Sequence, residues 1–428
     1  MASFVIEGGI PLHGEVTPSG NKNAALPLLA ASILTNEPVT LHNIPDIGDA
    51  AAMRRLLESL GVQVEVLTPN SWRVQAEDVH RANLDPDLCR RIRASVLLAG
   101  PMLGRVGGID IPPPGGDVIG RRRVDTHLLA LRALGAQTEY SAREYHINAP
   151  NGLTGASVLL DEASVTATEN AIMAAVTARG ETVLRNAASE PHVQDLCRFL
   201  NAMGAQIENV GSNTLHIQGV EALHGAEHTI GPDYLEVVSF IGAAAVTAGN
   251  VRIRQAAPEH LDMIELVFRR LGVRWQVDGQ DLVVPGEQTL AIEPDVGGAI
   301  PEISVMPWPA FPTDLMSIAI VVATQCQGTT LFHDWMYETR MFFIDKLVSM
   351  GARVILCDPH RCIVEGPTQL VGETLESPDI RAGMALVLAS LAAKGESHIR
   401  NIGQIDRGYE RIDDKLRALG ARIRRVEE

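Results

Sequence analysis

A glycine recurs along the chain, each time after a leucine or methionine that ends an apolar helical stripe and before a run of alternating residues. The six glycines occupy positions 61, 135, 204, 272, 351 and 420, so consecutive ones are 68 to 79 residues apart. Glycine at the C′ position of a helix takes the left-handed backbone that satisfies the last carbonyl groups, and a period-two run after it is typical of a strand. The sequence therefore predicts six repeats of about 70 residues.

Two further elements precede the glycine-terminated helix within a repeat. The first is an alanine-rich apolar run, at residues 24–34, 170–178, 237–248, 315–323 and 382–393. The second is a strand, at residues 39–43, 182–186, 251–254, 329–332 and 397–401. Because the apolar runs have no polar face, the pattern predicts buried helices that pack closely through small side chains. The expected fold class is therefore α/β, with buried helices inside and sheets outside.

Length and charge limit the class of protein further. At 428 residues the chain is too long for one ordinary core, so two domains are expected. It shows no apolar run of about 18 residues and no basic start followed by an apolar stretch, so we expect no membrane span, no signal peptide and a cytoplasmic location. A formal net charge of −16 argues against a nucleic-acid partner, which needs a basic face.

Cofactor and metal chemistry find little support in the sequence. The five cysteines lack metal-ligand spacing, so we expect reduced thiols that pack in the interior. Gly115 and Gly116 lack the strand, helix and third glycine of a dinucleotide-binding loop. The sequence thus predicts neither a metal nor a cofactor, and it indicates no obligate protein partner.

Residues 111–127 form a loop whose composition suits an anion. Three prolines at 112–114 favour extended backbone, and Gly115 with Gly116 lets the chain fold back, so that Asp117 lies at the tip. Arg121, Arg122 and Arg123 follow. In an acidic protein such a run pairs with an acidic surface or an anionic ligand. A solvated turn is the alternative interpretation.

This loop, read as Pro-Gly-Gly-x-x-Ile-Gly-x-Arg-x-Val-Asp-x-His, resembles the active-site loop of the enolpyruvyl transferases. The resemblance runs from about Phe4 to the C-terminus. Five other motifs carry it in the expected order: Ser-Gly-Asn-Lys-Asn-Ala-Ala-Leu-Pro at 19–27, Arg-Ala-Ser at 93–95, Pro-Ala-Phe-Pro-Thr-Asp at 309–314, Asp-Ile-Arg at 379–381 and Ile-Asp-Arg-Gly-Tyr-Glu-Arg-Ile at 405–412.

The resemblance implies two inside-out α/β domains of three repeats each, with a cleft between them. Residues 21–231 would form an enolpyruvyl transferase domain that carries the active-site loop, residues 112–126. Residues 1–20 plus 232–428 would form a second enolpyruvyl transferase domain. The chain would cross between the domains near Gly20 and Gly231.

The resemblance also implies an activity. Members of the family move the enolpyruvyl group of phosphoenolpyruvate onto a hydroxyl group, and this chain is most similar to those whose acceptor is UDP-N-acetylglucosamine, which catalyse the first committed step of peptidoglycan synthesis. A carboxylate and a phosphate on adjacent atoms require several fixed cations. The matching residues are Lys22, Arg122, Arg340, Arg381 and Arg407.

Two carboxylates match positions where the family's chemistry takes place. Asp314 matches the residue assigned to the acceptor hydroxyl as general base, and its alternative role is to cap the helix that follows. Asp117 stands where most members carry a cysteine and a minority an aspartate. A carboxyl group titrates near pH 3.9, so Asp117 would need burial or a closed lid to act as the acid. Alternatively, Asp117 assists closure or product release while Lys22 protonates the substrate.

On the acceptor side, the resemblance indicates a larger set of residues. Arg93 would lie near the diphosphate or the enolpyruvyl group, and the whole set comprises Asn23, Arg93, Arg122, Arg123, Val124, Asp125, His127, Ser164, Val165, Asp314 and Met336. Four positions depart from the family: Glu162 replaces a lysine, Thr166 a glycine, Arg123 a proline and Tyr234 an arginine. Transfer to another nucleotide or nucleotide sugar therefore stays open, as does a paralogue that binds a nucleotide sugar without turnover.

Overall fold

The computed structural model describes residues 2–80, 83–117 and 119–427, so Val118 of the predicted active-site loop lies outside the described residues. The chain divides into two compact units. The N-terminal unit comprises Gly20–Asp117 and Arg122–Gly231. The C-terminal unit comprises Met1–Ser19, Val118–Arg121 and Pro232–Glu428.

Helices and strands are interspersed throughout the described residues. The α-helices are α1 Lys22–Ala31, α2 Gly48–Ser59, α3 Pro86–Arg91, α4 Ala99–Val106, α5 Asp125–Ala133, α6 Val165–Ala175, α7 Pro191–Ala202, α8 Tyr234–Val246, α9 Asp262–Arg270, α10 Met316–Ala323, α11 Ile344–Ser349, α12 Ile380–Ala392 and α13 Ile412–Ala418. Short 3₁₀ helices span Ser32–Leu34, Arg93–Leu98, Pro258–His260, Thr313–Leu315, Arg340–Phe343 and Ile402–Arg407.

The strands of the N-terminal unit are β3 Val39–His42, β4 Gln63–Thr68, β5 Ser71–Gln75, β6 Gly108–Ile111, β7 Gln137–Tyr140, β8 Tyr145–Asn148, β9 Ser157–Leu159, β10 Glu181–Arg185, β11 Gln206–Glu208, β12 Thr214–Gln218 and β13 Glu227–Thr229. Those of the C-terminal unit are β1 Ala2–Glu7, β2 His13–Val16, β14 Asn250–Ile253, β15 Gln276–Asp278, β16 Asp281–Val284, β17 Glu302–Ser304, β18 Gly328–His333, β19 Arg353–Asp358, β20 Arg361–Gly366, β21 Thr374–Glu376, β22 Glu396–Arg400 and β23 Arg422–Glu427.

The six repeat glycines all have left-handed backbone, with φ between +80° and +99°. Each follows the end of one of the helices α2, α5, α7, α9, α11 and α13, and each precedes one of the strands β4, β7, β11, β15, β19 and β23. The predicted sixfold repeat is therefore confirmed. A residue with a Cβ atom at these positions would have to adopt a conformation that costs energy.

Within the described residues the strands form six sheets, three in each unit. In the N-terminal unit the strand orders are β13-β3-β5-β4, β6-β8-β7 and β11-β12-β10-β9. In the C-terminal unit they are β15-β16-β14-β2, β17-β18-β20-β19 and β21-β22-β1-β23. In five of these sheets one edge strand runs parallel to its neighbour and the other pairs are antiparallel.

Strand β1 completes the last of these sheets. It lies between β22 and β23 and runs antiparallel to both, with Phe4 opposite Ile399 on one side and Arg425 on the other. In the comparable sheet of the N-terminal unit, the same place is taken by β12, the second strand of a local hairpin. The first strand of the chain thus supplies what the sixth repeat lacks.

The predicted buried helices are confirmed as α1, α6, α8, α10 and α12. Every residue of α10 is buried, and α8, α10 and α12 pack on one another in the C-terminal unit. Their approach is close, because a Cβ atom added to Gly242 of α8 would lie 2.8 Å from a Leu388 methyl and 3.0 Å from an Ile318 methyl. Small residues therefore set the spacing of this core.

A further buried helix, absent from the predicted set, lies in the second repeat. It consists of the 3₁₀ helix Arg93–Leu98 followed directly by α4, which packs against α6. Gly100, Pro101 and Gly104 interrupt the apolar pattern there. Gly100 and Gly104 are small because α6 approaches closely: added Cβ atoms would lie 2.5 Å from the Asn170 carbonyl oxygen and from the hydroxyl of Thr177, respectively.

The five cysteines are free thiols, of which Cys357 is exposed and the others are buried. In the ranges that the structure describes, no helix combines the length and hydropathy that a membrane crossing requires.

Candidate functional site

In the C-terminal unit, the carboxylate of Asp314 is held by two buried arginines. Arg340 Nη2 donates to Asp314 Oδ1 at 2.8 Å, and Arg381 Nε donates to Asp314 Oδ2 at 3.1 Å. The arginine side chains are 2% and 5% exposed, whereas that of Asp314 is 29% exposed. Two guanidinium donors favour the ionised carboxylate and fix its plane, while its exposed part faces solvent.

Local structure brings these three side chains together. Pro312 precedes the 3₁₀ helix that contains Asp314, and Arg340 begins another 3₁₀ helix. Asp379 caps α12 by accepting from the backbone N–H of Arg381 at 2.8 Å, which places Arg381 in the first turn. Asp314 lies inside the 3₁₀ helix Thr313–Leu315, and Leu315 is the residue at the cap position of α10.

Aromatic rings and acidic groups surround the two arginines. The Arg340 guanidinium lies 5.4 Å from the ring centroid of Tyr337, and that of Arg381 lies 5.5 Å from Tyr409. Burial opposes the charge of Arg340, but Asp314 and the neighbouring acids raise its pKa above the usual value. Burial also lowers the pKa of Arg381, but Tyr409 and Asp314 outweigh it and raise the pKa above the usual value. Both arginines are therefore permanently charged.

Asp334 organises the segment that leads to Arg340. It is fully buried and accepts hydrogen bonds from the Thr313 hydroxyl at 2.5 Å and from the Met336 backbone at 3.0 Å. Burial raises the pKa of its carboxyl group, while these hydrogen bonds and Arg340 oppose the shift. Asp334 thus ties the turn at 335–339 to the residue beside Asp314.

The same turn contacts residues 119–121 of the loop at 112–126. Glu338 Oε2 accepts from the Arg121 backbone N–H at 3.0 Å, and the Thr339 N–H donates to the Ile119 carbonyl at 3.2 Å. Gly120 has φ +136°, a backbone conformation that L side chains rarely adopt, and a Cβ atom there would displace the Glu338 carboxylate, whose Oε2 would lie 2.0 Å away. The backbone hydrogen bonds to the carboxylate lower the pKa of Glu338.

Arg407 and Met336 complete the predicted residues of this unit. Arg407 is half-buried at the end of the 3₁₀ helix Ile402–Arg407, where Nη1 donates to the Gln404 side chain at 3.0 Å. Met336 is also half-buried, in the turn that Asp334 holds. Tyr234, at a position that departs from the family, is 3% exposed and packs on Trp308 with 5.8 Å between ring centroids.

In the N-terminal unit, Lys22 begins α1 and is paired with a buried acid. Its Nζ lies 2.7 Å from Asp49 Oδ2, and both side chains are at least nine-tenths buried. Asn21 caps α1 by accepting from the backbone N–H groups of Asn23 and Ala24 at 2.8 and 3.3 Å. The cap fixes the first turn, where Lys22 is buried and Asn23 half-buried.

The first part of the loop at residues 112–126 is fixed to α3. The N–H groups of Gly115 and Gly116 donate to the carbonyls of Cys89 and Arg90 at 3.0 and 3.3 Å. A Cβ atom on Gly115 would lie 1.8 Å from the Arg90 oxygen, so glycine is required there. Asp117 follows as a half-buried residue.

The stretch after the loop is held by Asp161. Its Oδ2 accepts from Arg123 Nη2 at 3.2 Å and its Oδ1 accepts from the Thr126 hydroxyl at 2.6 Å. Arg93 Nη2 donates to the Arg123 carbonyl at 2.7 Å. Glu162 lies 3.9 Å from the Arg123 guanidinium, so two of the departures from the family, a new acid and a new base, form an ion pair. The remaining predicted residues of this stretch differ in burial: Arg122 is half-buried, Val124 buried and Asp125 exposed.

His127 is almost fully buried, and both of its ring nitrogens have protein partners. Nδ1 lies 2.9 Å from Asn170 Nδ2, and Nε2 lies 3.1 Å from the Thr166 hydroxyl. Burial, with a smaller effect of Arg93, lowers the pKa of His127 to about 3. The imidazole is therefore neutral, and it supports the start of α6, where Ser164 and Val165 are half-buried.

The structure thus forms three local groups from the predicted residues: Asp314 with Arg340 and Arg381, Lys22 with Asp49, and the residues around Arg123 and His127. Several of the partners were not predicted, namely Asp49, Asp161, Asn170, Asp334 and Glu338. A signal existed for Asn170, a polar residue in an apolar helix. Among the described residues, no group of three histidine, cysteine or acidic side chains is arranged to hold a metal ion.

Comparison with known proteins defines the family. The sequence profile of the family described as EPSP synthase (3-phosphoshikimate 1-carboxyvinyltransferase) matches residues 6–416. The chain belongs to this family of enolpyruvyl transferases.

Within the family, similar relatives bear a different name. A protein of Bradyrhizobium diazoefficiens named UDP-N-acetylglucosamine 1-carboxyvinyltransferase is 56% identical over 425 residues, which cover 99% of this chain and 98% of the relative. A protein of Treponema denticola with the same name is 52% identical over 423 residues, covering 99% of each.

Solved structures agree with the fold. The enolpyruvyl transferase NikO from Streptomyces tendae has a TM-score of 0.87 at 26% identity and covers 99% of both chains. EPSP synthase from Acinetobacter baumannii has a TM-score of 0.74 at 17% identity over the full length of both chains, which shows the fold alone.

Proposed function

We propose that this protein transfers the enolpyruvyl group of phosphoenolpyruvate to a hydroxyl group of UDP-N-acetylglucosamine and releases phosphate. The observation that carries the proposal is identity of 49–56% over essentially the whole chain with relatives named for that reaction. Peptidoglycan synthesis follows as the role. Because both substrates are small phosphorylated metabolites, we place the activity in the cytoplasm.

The donor has two anionic groups, and five cations are proposed to bind it: Lys22, Arg122, Arg340, Arg381 and Arg407. Support comes from the match of each cation to a family motif and from the burial of Lys22, Arg340 and Arg381, which fixes their side chains. The guanidinium groups of Arg340 and Arg381 also bind the carboxylate of Asp314. Because the guanidinium group of each arginine is already fixed in place, it loses little further entropy when it binds a carboxylate or a phosphate.

Asp314 is proposed as the general base. A carboxylate oxygen has two lone pairs, so it can accept from an arginine and from a substrate hydroxyl together. The hydroxyl loses its proton to Asp314 as its oxygen bonds to C2 of phosphoenolpyruvate, and C3 gains a proton to become a methyl group. The tetrahedral intermediate then loses phosphate from C2 and a proton from C3, which restores the double bond.

The proton for C3 is assigned to Asp117, with Lys22 as the alternative donor. Asp117 is half-buried and directly follows Gly116, whose N–H group is bonded to the Arg90 carbonyl. A fixed neighbour favours a defined position for the carboxyl group. Asp117→Asn would show which residue is the proton donor. Turnover persists in this variant if Lys22 supplies the proton and is lost if Asp117 does.

The acceptor is assigned to residues of the N-terminal unit together with Asp314 and Met336. Asn23 would contact the sugar, and Arg93 with residues 122–125 would face the nucleotide and diphosphate. Ser164 and Val165 are assigned to the uridine pocket, and the backbone N–H groups at the start of α6, which lack intrahelical partners, favour a phosphate nearby. His127 has both ring nitrogens engaged, so its contribution is to support α6.

A phosphate-release assay tests the proposal. The purified protein is incubated with phosphoenolpyruvate and either UDP-N-acetylglucosamine, other UDP-sugars, or free nucleotides, and the products are identified by mass spectrometry. Enolpyruvyl-UDP-N-acetylglucosamine as the main product supports the proposal. If phosphate is released only with a different acceptor, that compound and not UDP-N-acetylglucosamine is the substrate. If the UDP-sugar binds but no acceptor leads to phosphate release, the protein is a non-catalytic paralogue.

A further inference from the structure

Asn170 has a defined orientation that sets the direction of a chain of hydrogen bonds. Its Oδ1 accepts from the Gly100 backbone N–H at 2.8 Å, which identifies the oxygen of the amide. Its Nδ2 group therefore donates twice, to the Val96 carbonyl at 2.7 Å and to His127 Nδ1 at 2.9 Å. All three contacts are buried, so no water competes for them.

The next step concerns the tautomer of His127. Because Nδ1 accepts from Asn170, the single proton of the neutral ring resides on Nε2. Nε2–H then donates to the Thr166 hydroxyl oxygen at 3.1 Å. The direction of the bond between these two residues is thus determined by Asn170, one turn further along α6.

Thr166 therefore presents a hydroxyl hydrogen to its surroundings. Its oxygen accepts from His127, so its own O–H has to find a different acceptor, and the described residues supply none. The residue is half-buried in the first turn of α6, an eleven-residue helix whose N-cap, Ser164, makes no side-chain cap. The hydroxyl thus lies beside backbone N–H groups at the positive end of a helix.

The charge around this hydroxyl favours an anionic acceptor. Arg93 is close enough to His127 to disfavour its protonated form, and it also bonds to the Arg123 carbonyl. Asp161 and Glu162, the two acids just before α6, lie 3.2 and 3.9 Å from the Arg123 guanidinium, which partly offsets their charge. An oriented O–H in such a place bonds most strongly to a charged oxygen.

We infer that the Thr166 hydroxyl donates a hydrogen bond to a phosphate oxygen of the nucleotide-sugar acceptor, and that Asn170 and His127 are positioning residues that act through it. The inference rests on the proposed function for the identity of the acceptor. It adds a binding contact that this chain has and that a glycine at the same position would lack.

The test compares ligands with and without phosphate. Calorimetry measures UDP and uridine binding to the wild-type protein, Thr166→Val, Thr166→Ala and Thr166→Ser. Valine keeps the shape and removes the hydroxyl, alanine leaves room for water beside His127, and serine keeps the donor. Thr68→Val, at the exposed end of the edge strand β4, is the matched control. Thermal melting confirms that each variant is folded.

The expected result is specific to phosphate. Loss of one hydrogen bond to a charged group weakens binding of UDP by about tenfold in the valine and alanine variants, and uridine binding stays within about twofold of wild type. Serine should restore UDP binding, and the KM for UDP-N-acetylglucosamine should rise in the valine variant with little change in kcat.

Other outcomes overturn the inference. If UDP and uridine weaken by the same factor, the role of Thr166 is structural, and if neither weakens in valine or alanine, the hydroxyl makes no contact. These results are separable from failure of the proposed function, which would appear as a wild-type protein that does not turn over UDP-N-acetylglucosamine.

Discussion

Replacement of Asp314 by alanine should damage stability and turnover together, for separate physical reasons. The substitution leaves Arg340 and Arg381, which are 2% and 5% exposed, without the carboxylate that both contact. Removing one partner of a buried ion pair typically costs about 3–5 kcal/mol. Because Asp314 is 29% exposed, water partly replaces it, and we expect the lower end, about 3 kcal/mol.

The loss of stability can be measured as a melting temperature. For a unit of roughly this size each kcal/mol shifts the midpoint by about 2–4 °C, so Asp314→Ala should melt about 6–12 °C lower. Asp278→Ala is the matched control, since Asp278 pairs with Arg252 at 2.9 Å but is 66% exposed. An exposed pair contributes at most about 1 kcal/mol, and its loss should move the midpoint by less than about 4 °C.

Turnover is measured well below the lower midpoint, so that unfolding does not contribute. Loss of a general base should reduce kcat by about 10²–10⁴-fold, with a smaller change in acceptor binding. A variant that melts like the wild type would refute the energetic role of the two arginine contacts. A variant with normal kcat would refute the assignment of the base.

Three further outcomes follow from the structure. Burial lowers the pKa of His127 to about 3, so the unfolded chain binds a proton below about pH 6.5 that the folded protein does not bind. The free energy of unfolding, measured in urea, should therefore fall by about 1.4 kcal/mol between pH 7.5 and 5.5. His127→Gln should abolish that decrease. Gly120→Ala should make the loop more sensitive to limited proteolysis, because its Cβ atom would meet the Glu338 carboxylate. Adding Glu338→Ala should remove the clash but leave the strained φ, so the double variant should regain only part of the protection. Fosfomycin, an epoxide, should leave the protein unmodified because the Asp117 carboxylate is a weak nucleophile, whereas Asp117→Cys should form an adduct detectable by intact mass.

The fold was predictable because its signals are local. A glycine after a helix, a change of period from helix to strand and an apolar run each depend on neighbouring residues, and α10 and α12 follow the predicted ranges within two residues. The buried helix of the second repeat was not predicted because Pro101 and two glycines break the apolar run, although close packing on α6 requires the small residues.

The site was predictable only in part. Sequence motifs located the cations and Asp314, but the contacts that decide their roles join residues far apart in the chain. Asp314 meets Arg381 across 67 positions, and Asn170 meets His127 across 43. Spacing alone could not show that two proposed substrate-binding arginines are buried against the proposed base.

The central place of β1 in the last sheet has a consequence for how the protein is made. Phe4 pairs with Ile399, so β1 leaves the ribosome long before the strands that flank it in the sheet are synthesised. At about 5–20 residues per second, that interval is roughly 20–80 s. Until then an apolar strand is unpaired, and the C-terminal unit cannot be completed on a nascent chain that still lacks β22 and β23. Over that time residues 2–7 expose unpaired backbone N–H and C=O groups, which are a template for pairing with another chain.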